Sequence, residues 1–181
     1  MLARDYAPAY SNPTCLAELA DDIHDYVIAL RGLPGMREPC RKAAAVARLP
    51  ELLLLFLPGA VEHGLAGCPP ARALRLVEVA RSFDMRFAAP IARLCEAAQS
   101  RAAGSALHES LLTAEIEATR SLIRDLTNVA FEGQNLSEDT RRERTMASRH
   151  EAARALFHAL PVAIPACACA NIVRIAFPLG D

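Results

Sequence analysis

Six large apolar residues stand in a row at positions 52–57, Leu-Leu-Leu-Leu-Phe-Leu. A helix on a protein surface shows apolar residues only at every third or fourth place. A helix built from this run has no polar side to offer water, so other elements must enclose it nearly all round. A membrane span needs about 20 apolar residues. This run is far shorter and lies between Glu51 and Glu62. It therefore reads as the central helix of a soluble domain. Pro50 suits the first helical position, where a missing N–H costs nothing. Pro58-Gly59 is expected to kink or end the helix, with a second short turn between Gly59 and Gly67.

The remaining segments read as cover. Asn12-Pro13 is a good start signal, and Leu16, Leu19, Ala20, Ile23, Val27 and Leu30 then form one helical face that Gly32 closes. Glu18, Asp21, Asp22 and Asp25 form an acidic stripe on the other side. A short Ala-rich helix over 39–48 precedes the central one. After Cys68-Pro69-Pro70, residues Leu74, Val77, Ala80 and Phe83 mark the next inner face, with Arg72, Arg75 and Arg81 pointing elsewhere. Asp84-Met85-Arg86 reads as a turn. Phe87, Ile91, Leu94, Cys95 and Ala98 are the face of a further helix that ends at Gly104.

Ser105 opens a long helix to about Glu132, with Leu107, Leu111, Ala114, Ala118, Leu122, Leu126 and Val129 near heptad spacing. Ser137, Glu138 and Asp139 suit another helix start, polar through 140–145 and returning to the core at Met146, His150, Ala153, Leu156, Phe157 and Leu160. The β-branched residues of 171–178 favour a short strand. The expected fold is all-α: one domain over 1–181, about seven helices around a central apolar helix. An extended arm over 1–11 precedes it, anchored by Tyr6 and Tyr10, and a tail over 166–181 follows.

Net charge is −1, so no global field favours nucleic acid or an acidic membrane. The opening residues show no apolar run of the kind a secretory leader has. A cytoplasmic chain without membrane insertion is expected, with its six cysteines as reduced, buried thiols.

Five histidines raise the possibility of metal or acid–base chemistry. Asp21 and His24 share one helix at i,i+3, but a di-metal bundle needs Glu-x-x-His twice with two further Glu, and Glu-x-x-His does not occur. The simpler reading is a solvated acidic face carrying one His. Glu62 and His63 are adjacent, so they diverge by about 100° on a helix and read as a loop-facing polar pair. Cys167-Ala-Cys169 lacks the second pair of a structural zinc site. Gly-rich phosphate loops and nucleophile elbows are missing too. Arg141, Arg142 and Arg144 read as a solvated helix start that can meet an acidic partner. No catalytic grouping, metal set or cofactor motif emerges, which favours a binding protein over an enzyme.

Separated pieces, in order, resemble one family. Tyr6-Ala-Pro-Ala-Tyr10 before Leu16 is similar to its aromatic, proline and tyrosine opening. Arg48-Leu-Pro-Glu-Leu-Leu-Leu-Leu-Phe-Leu57 resembles its central leucine-rich helix. Ala155-Leu-Phe-His-Ala-Leu160, then Pro165, then Arg174-Ile-Ala-Phe-Pro-Leu179 resembles its closing pattern. The family is the K-type accessory proteins of the bacterial type III secretion sorting platform, the SctK, YscK, OrgA and MxiK group. The resemblance implies a cytoplasmic, helical, non-enzymatic adaptor at the inner-membrane apparatus. Its partners would be the cytoplasmic domain of the inner-membrane ring protein and the pod protein of the platform. Charge alone puts the candidate contacts at Glu18, Asp21, Asp22 and Asp25 and at Arg141, Arg142 and Arg144.

Two rival readings remain. Residues 52–98 also resemble the C-terminal helices of a BTB domain, which would make the chain an interaction module or virulence effector. A small helical metalloprotein or enzyme would use His24, His108 or His150.

Overall fold

The computed structural model describes residues 13–99, 105–134 and 145–179. Among them are eight α-helices and no strand. They are α1 Pro13–Gly32, α2 Arg37–Ala47, α3 Glu51–Glu62, α4 Pro70–Phe83, α5 Ala89–Gln99, α6 Ser105–Ala130, α7 Met146–Ala159 and α8 Ala166–Ala176. A π-helical segment, Asp84–Ala88, joins α4 to α5 without a break. Counted as one rod, they leave seven helical rods, and the all-α reading holds. The expected arm over 1–11 lies outside the described residues, as does most of the polar run before α7. No single described helix is long and apolar enough to cross a membrane.

The leucine run is the core. Nine consecutive residues of α3, from Leu53 to Val61, are buried, and α1, α2, α4, α6 and α7 all pack on this helix. Each large apolar side chain so enclosed contributes about 1.5–3 kcal/mol. Pro50 sits one place earlier than expected. Its extended backbone (φ −60°, ψ 137°) makes it the N-cap, and Glu51 opens the helix.

Contrary to expectation, α3 runs straight through Pro58-Gly59. An interior proline costs about 3 kcal/mol or more, but burial of the flanking leucines on every side outweighs it. Gly59 is needed for a different reason. A Cβ there would stand 3.3 Å from Ile23 Cγ2 and 3.4 Å from Val27 Cγ2, so the missing side chain lets α1 lie against α3. The helix ends three residues later, at Glu62. Gly64 takes φ +104°, its N–H donates to Val61 O, and Leu65 N–H donates to Ala60 O at 2.8 Å. This pair of bonds closes a helix C-terminus when a left-handed residue follows it.

Helix ends elsewhere are finished by side chains from neighbouring helices. Arg81 of α4 donates to Ala47 O and Arg48 O at the end of α2, both at 3.3 Å. Arg72 of α4 donates to Ala130 O at 3.2 Å and to Glu132 O at 2.7 Å, at the end of α6. His150 of α7 lies 3.3 Å from Phe177 O, just past α8. The last carbonyls of a helix have no partner within it and carry its partial negative charge. Guanidinium groups satisfy both needs. The arginines expected to point away from the core thus lock α4 onto two neighbours.

Three further expectations are corrected. The tail over 171–178 is not a strand: most of it belongs to α8. There Cys169, Ile172, Val173 and Ala176 are buried at i, i+3, i+4, i+7 spacing, and this helical period overrides the β-preference of Ile and Val. On α4 the buried positions are Ala73, Leu76, Val77 and Ala80, while Leu74 is exposed. Met146 stays at the surface, and Thr145 caps α7 by accepting from Ser148 N.

Leu54→Asp places an unpaired charge in this core, so the variant is expected to lose its cooperative thermal transition and soluble expression. Helical, soluble protein from that variant would contradict the enclosure of α3. Arg48 holds a left-handed conformation (φ 52°) at the end of α2, which favours glycine. Arg48→Gly is expected to raise stability by about 1 kcal/mol, measured by urea unfolding.

Candidate functional site

Pro90 shapes one side of a surface cleft. It has no N–H for the carbonyl of Arg86, and its ring would collide with that oxygen in a regular helix. The chain responds by widening: Ala89 N–H reaches back five residues to Asp84 O. The turn expected over 84–86 is therefore a π-helical turn inside a continuous rod, a feature often found at functional sites. It leaves Met85 and Phe87 exposed and stacks Phe83 on Phe87 with centroids 5.3 Å apart. Beyond it, α5 packs on the π segment and on α6.

The result is a cleft of roughly 740 Å³. One jaw is the end of α1 with the start of α2, carrying Arg31, Arg37 and Arg41. The other is α5 with the middle of α6, carrying Glu115, and Asp84 lies at its root. Leu52, Leu55, Phe83, Ile91 and Leu122 supply apolar surface between them. Glu38 is spoken for. It pairs with Arg41 at 2.7 Å and with Lys42 at 3.3 Å, and these bonds, Lys42's first, hold its carboxyl below the usual range. Among the described residues Arg31 and Arg37 have no such partner. Arg37 also opens α2, where the helix dipole favours an acid. The arrangement suits an apolar segment with charged flanks.

Outside the cleft, the acidic stripe is where the sequence put it. Glu18, Asp21, Asp22 and Asp25 are all exposed on α1. Arg141, Arg142 and Arg144 lie outside the described residues. His24 is not solvated as expected. It is buried on α1, with Nδ1 3.2 Å from Asp25 Oδ1 and Nε2 without a partner among the described residues. The side chain of His108 lies outside the described residues, and His150 is engaged with Phe177 O. Among the described residues, no three His, Cys, Asp or Glu side chains gather as a metal set.

Glu62 and His63 face neighbouring helices, not a loop. Arg149 Nη1 of α7 donates to both Glu62 oxygens, at 2.7 and 2.8 Å, in a half-buried site. His63 meets the ring of Tyr26 edge-on, centroids 6.2 Å apart. Burial, and then the charge of Glu62, push the Tyr26 hydroxyl up to about 12 from 10. The cysteines are mixed. Cys40 and Cys169 are buried, Cys15, Cys68 and Cys95 half-buried, and Cys167 exposed, all as free thiols. Burial, with Glu51 adding, pushes Cys40 up to about 12.

The cleft was not legible in the sequence, because its walls come from segments as far apart as Arg31 and Leu122. Two signals pointed near it: Pro90 inside a helical pattern, and the arginine in the first turn of α2.

No protein-family model matches the chain, and neither the curated proteins nor the solved structures contain a significant match to it.

Tyr26 and Cys40 make the fold sensitive to alkali. Their protons are held more tightly folded than unfolded, so the stability they contribute is present below the unfolded values. It is lost as pH rises through about 12. The urea midpoint is expected to fall between pH 9 and pH 12, and less steeply in a Tyr26→Phe, Cys40→Ala variant. Equal slopes would show that neither group titrates late.

Proposed function

We propose that this protein is a non-enzymatic adaptor of the type III secretion sorting platform. It would sit at the cytoplasmic face of the inner membrane, joining the cytoplasmic domain of the ring protein to the pod protein. The partners come from the sequence resemblance over the opening, the leucine-rich helix and the closing segment. The observation that supports an adaptor is α1. Its inner face is sealed against α3 and α6, while its outer face is a row of exposed carboxylates. Glu18 with Asp22 and Asp21 with Asp25 are like-charge pairs at i,i+4. Such pairs cost a helix about 0.2–0.5 kcal/mol each. Among the described residues only His24 touches one of them, its Nδ1 3.2 Å from Asp25 Oδ1. A row that weakens its own helix is well placed to steer a basic partner surface.

Co-purification with the ring protein's cytoplasmic domain and with the pod protein tests the reading. Binding to at least one is expected, weakening with salt. Asp21→Arg, Asp22→Arg and Asp25→Arg together are expected to keep the helical spectrum and lower affinity about tenfold or more. Failure of the unaltered protein to bind either partner removes the adaptor reading. Unchanged affinity in the triple variant removes the stripe from the interface.

A further inference from the structure

The apolar stripe that leads into α5 does not face the body of the molecule. Read as a regular helix, Phe87, Ile91 and Leu94 share one side, at i, i+4 and i+7 spacing. Such a side belongs against other elements. Phe87 is instead 51% exposed and Leu94 57%. The cleft wall holds Ala88, Ala92 and Cys95, each one place further along the chain. Smaller side chains therefore occupy the directions that the stripe is patterned to take.

This offset has the size of the π turn. A regular helix turns about 100° per residue. A turn closed by an i→i+5 bond, as from Ala89 N–H to Asp84 O, holds one residue more than an α turn. Everything after it lags by about one residue's rotation, about 100°. Without the extra residue, each position would take the direction that its successor has now. Phe87 would stand where Ala88 stands, Ile91 where Ala92 stands and Leu94 where Cys95 stands. All three places line the cleft. Large side chains there would fill much of its roughly 740 Å³.

We propose that Pro90 is a register lock that keeps the cleft open. In the regular register its ring would meet the carbonyl oxygen of Arg86, and it would offer that oxygen no N–H. The open register avoids both faults and keeps Phe83 stacked on Phe87. The closed register gains the burial of Phe87 and Leu94. These opposing effects are similar in size, so removing the proline is enough to reverse the order of the two registers. Local preferences are set aside in this way at functional sites, and what the departure preserves here is the cleft.

Pro90→Ala in the full chain tests this, read by methyl NOE spectra. In the unaltered protein the Leu94 methyls are expected to show no contact with the cleft leucines, Leu52, Leu55 and Leu122. In Pro90→Ala those contacts are expected to appear. Urea unfolding is the second measurement. Leu94→Asp changes an exposed position of the unaltered protein, so it is expected to move the folding constant by less than about threefold. In the Pro90→Ala background, where Leu94 is enclosed, the same change is expected to lower it about tenfold or more. A Pro90→Ala protein in which Leu94 makes no cleft contact, or still tolerates Asp, overturns the proposal. So does an unaltered protein that Leu94→Asp weakens about tenfold, because α5 would then already bury its stripe.

Discussion

The contact between α1 and α3 at Gly59 is what the rest of the molecule is built around. Burying nine consecutive residues demands neighbours on every side of one helix. A neighbour can come close only where the helix has nothing projecting, and the Ile23 and Val27 methyls occupy the space a Cβ would need. Once α1 is seated there, its other faces are assigned. One meets α6, and the remaining one carries the acidic row into solvent. Pro58 is tolerated because the packing around it is worth more than one backbone hydrogen bond.

A second layer of order comes from the helix ends. Arg72 and Arg81 sit nine residues apart on α4 and satisfy the last carbonyls of two different helices. This ties α4 to α2 and α6 by directional bonds, where apolar contact alone would permit sliding. The rod that begins with α4 continues through the π turn into α5, which packs on α6. The cleft lies between this rod, α6 and the ends of α1 and α2. Its charges are mixed: Arg31, Arg37 and Arg41 near helix ends, with Glu51, Asp84 and Glu115 from α3, the π segment and α6.

Much of the fold was readable one segment at a time. The buried faces of α1 and α3 follow from spacing, because a 3.6-residue period maps directly onto one side of a helix. Two stretches carry conflicting local signals. At 171–176, Ile and Val argued for a strand while the spacing of Cys169, Ile172 and Val173 argued for a helix, and burial decided for the helix. At 84–86 a turn is expected between two helical faces, but Pro90, four residues after Arg86, needs only a wider helix. Leu74, Leu94 and Met146 fall on the expected inner faces, yet all three face outward.

By itself the sequence determined the helical class, the enclosed leucine run and the exposed carboxylate row, because each depends on composition and period within one element. Only the tertiary structure decided which elements meet, where Arg72, Arg81 and His150 find their carbonyls, and that Leu112 and Ile116 of α6 stay exposed. Those features depend on distances between residues far apart in the chain, and periodicity within a segment carries no information about such distances.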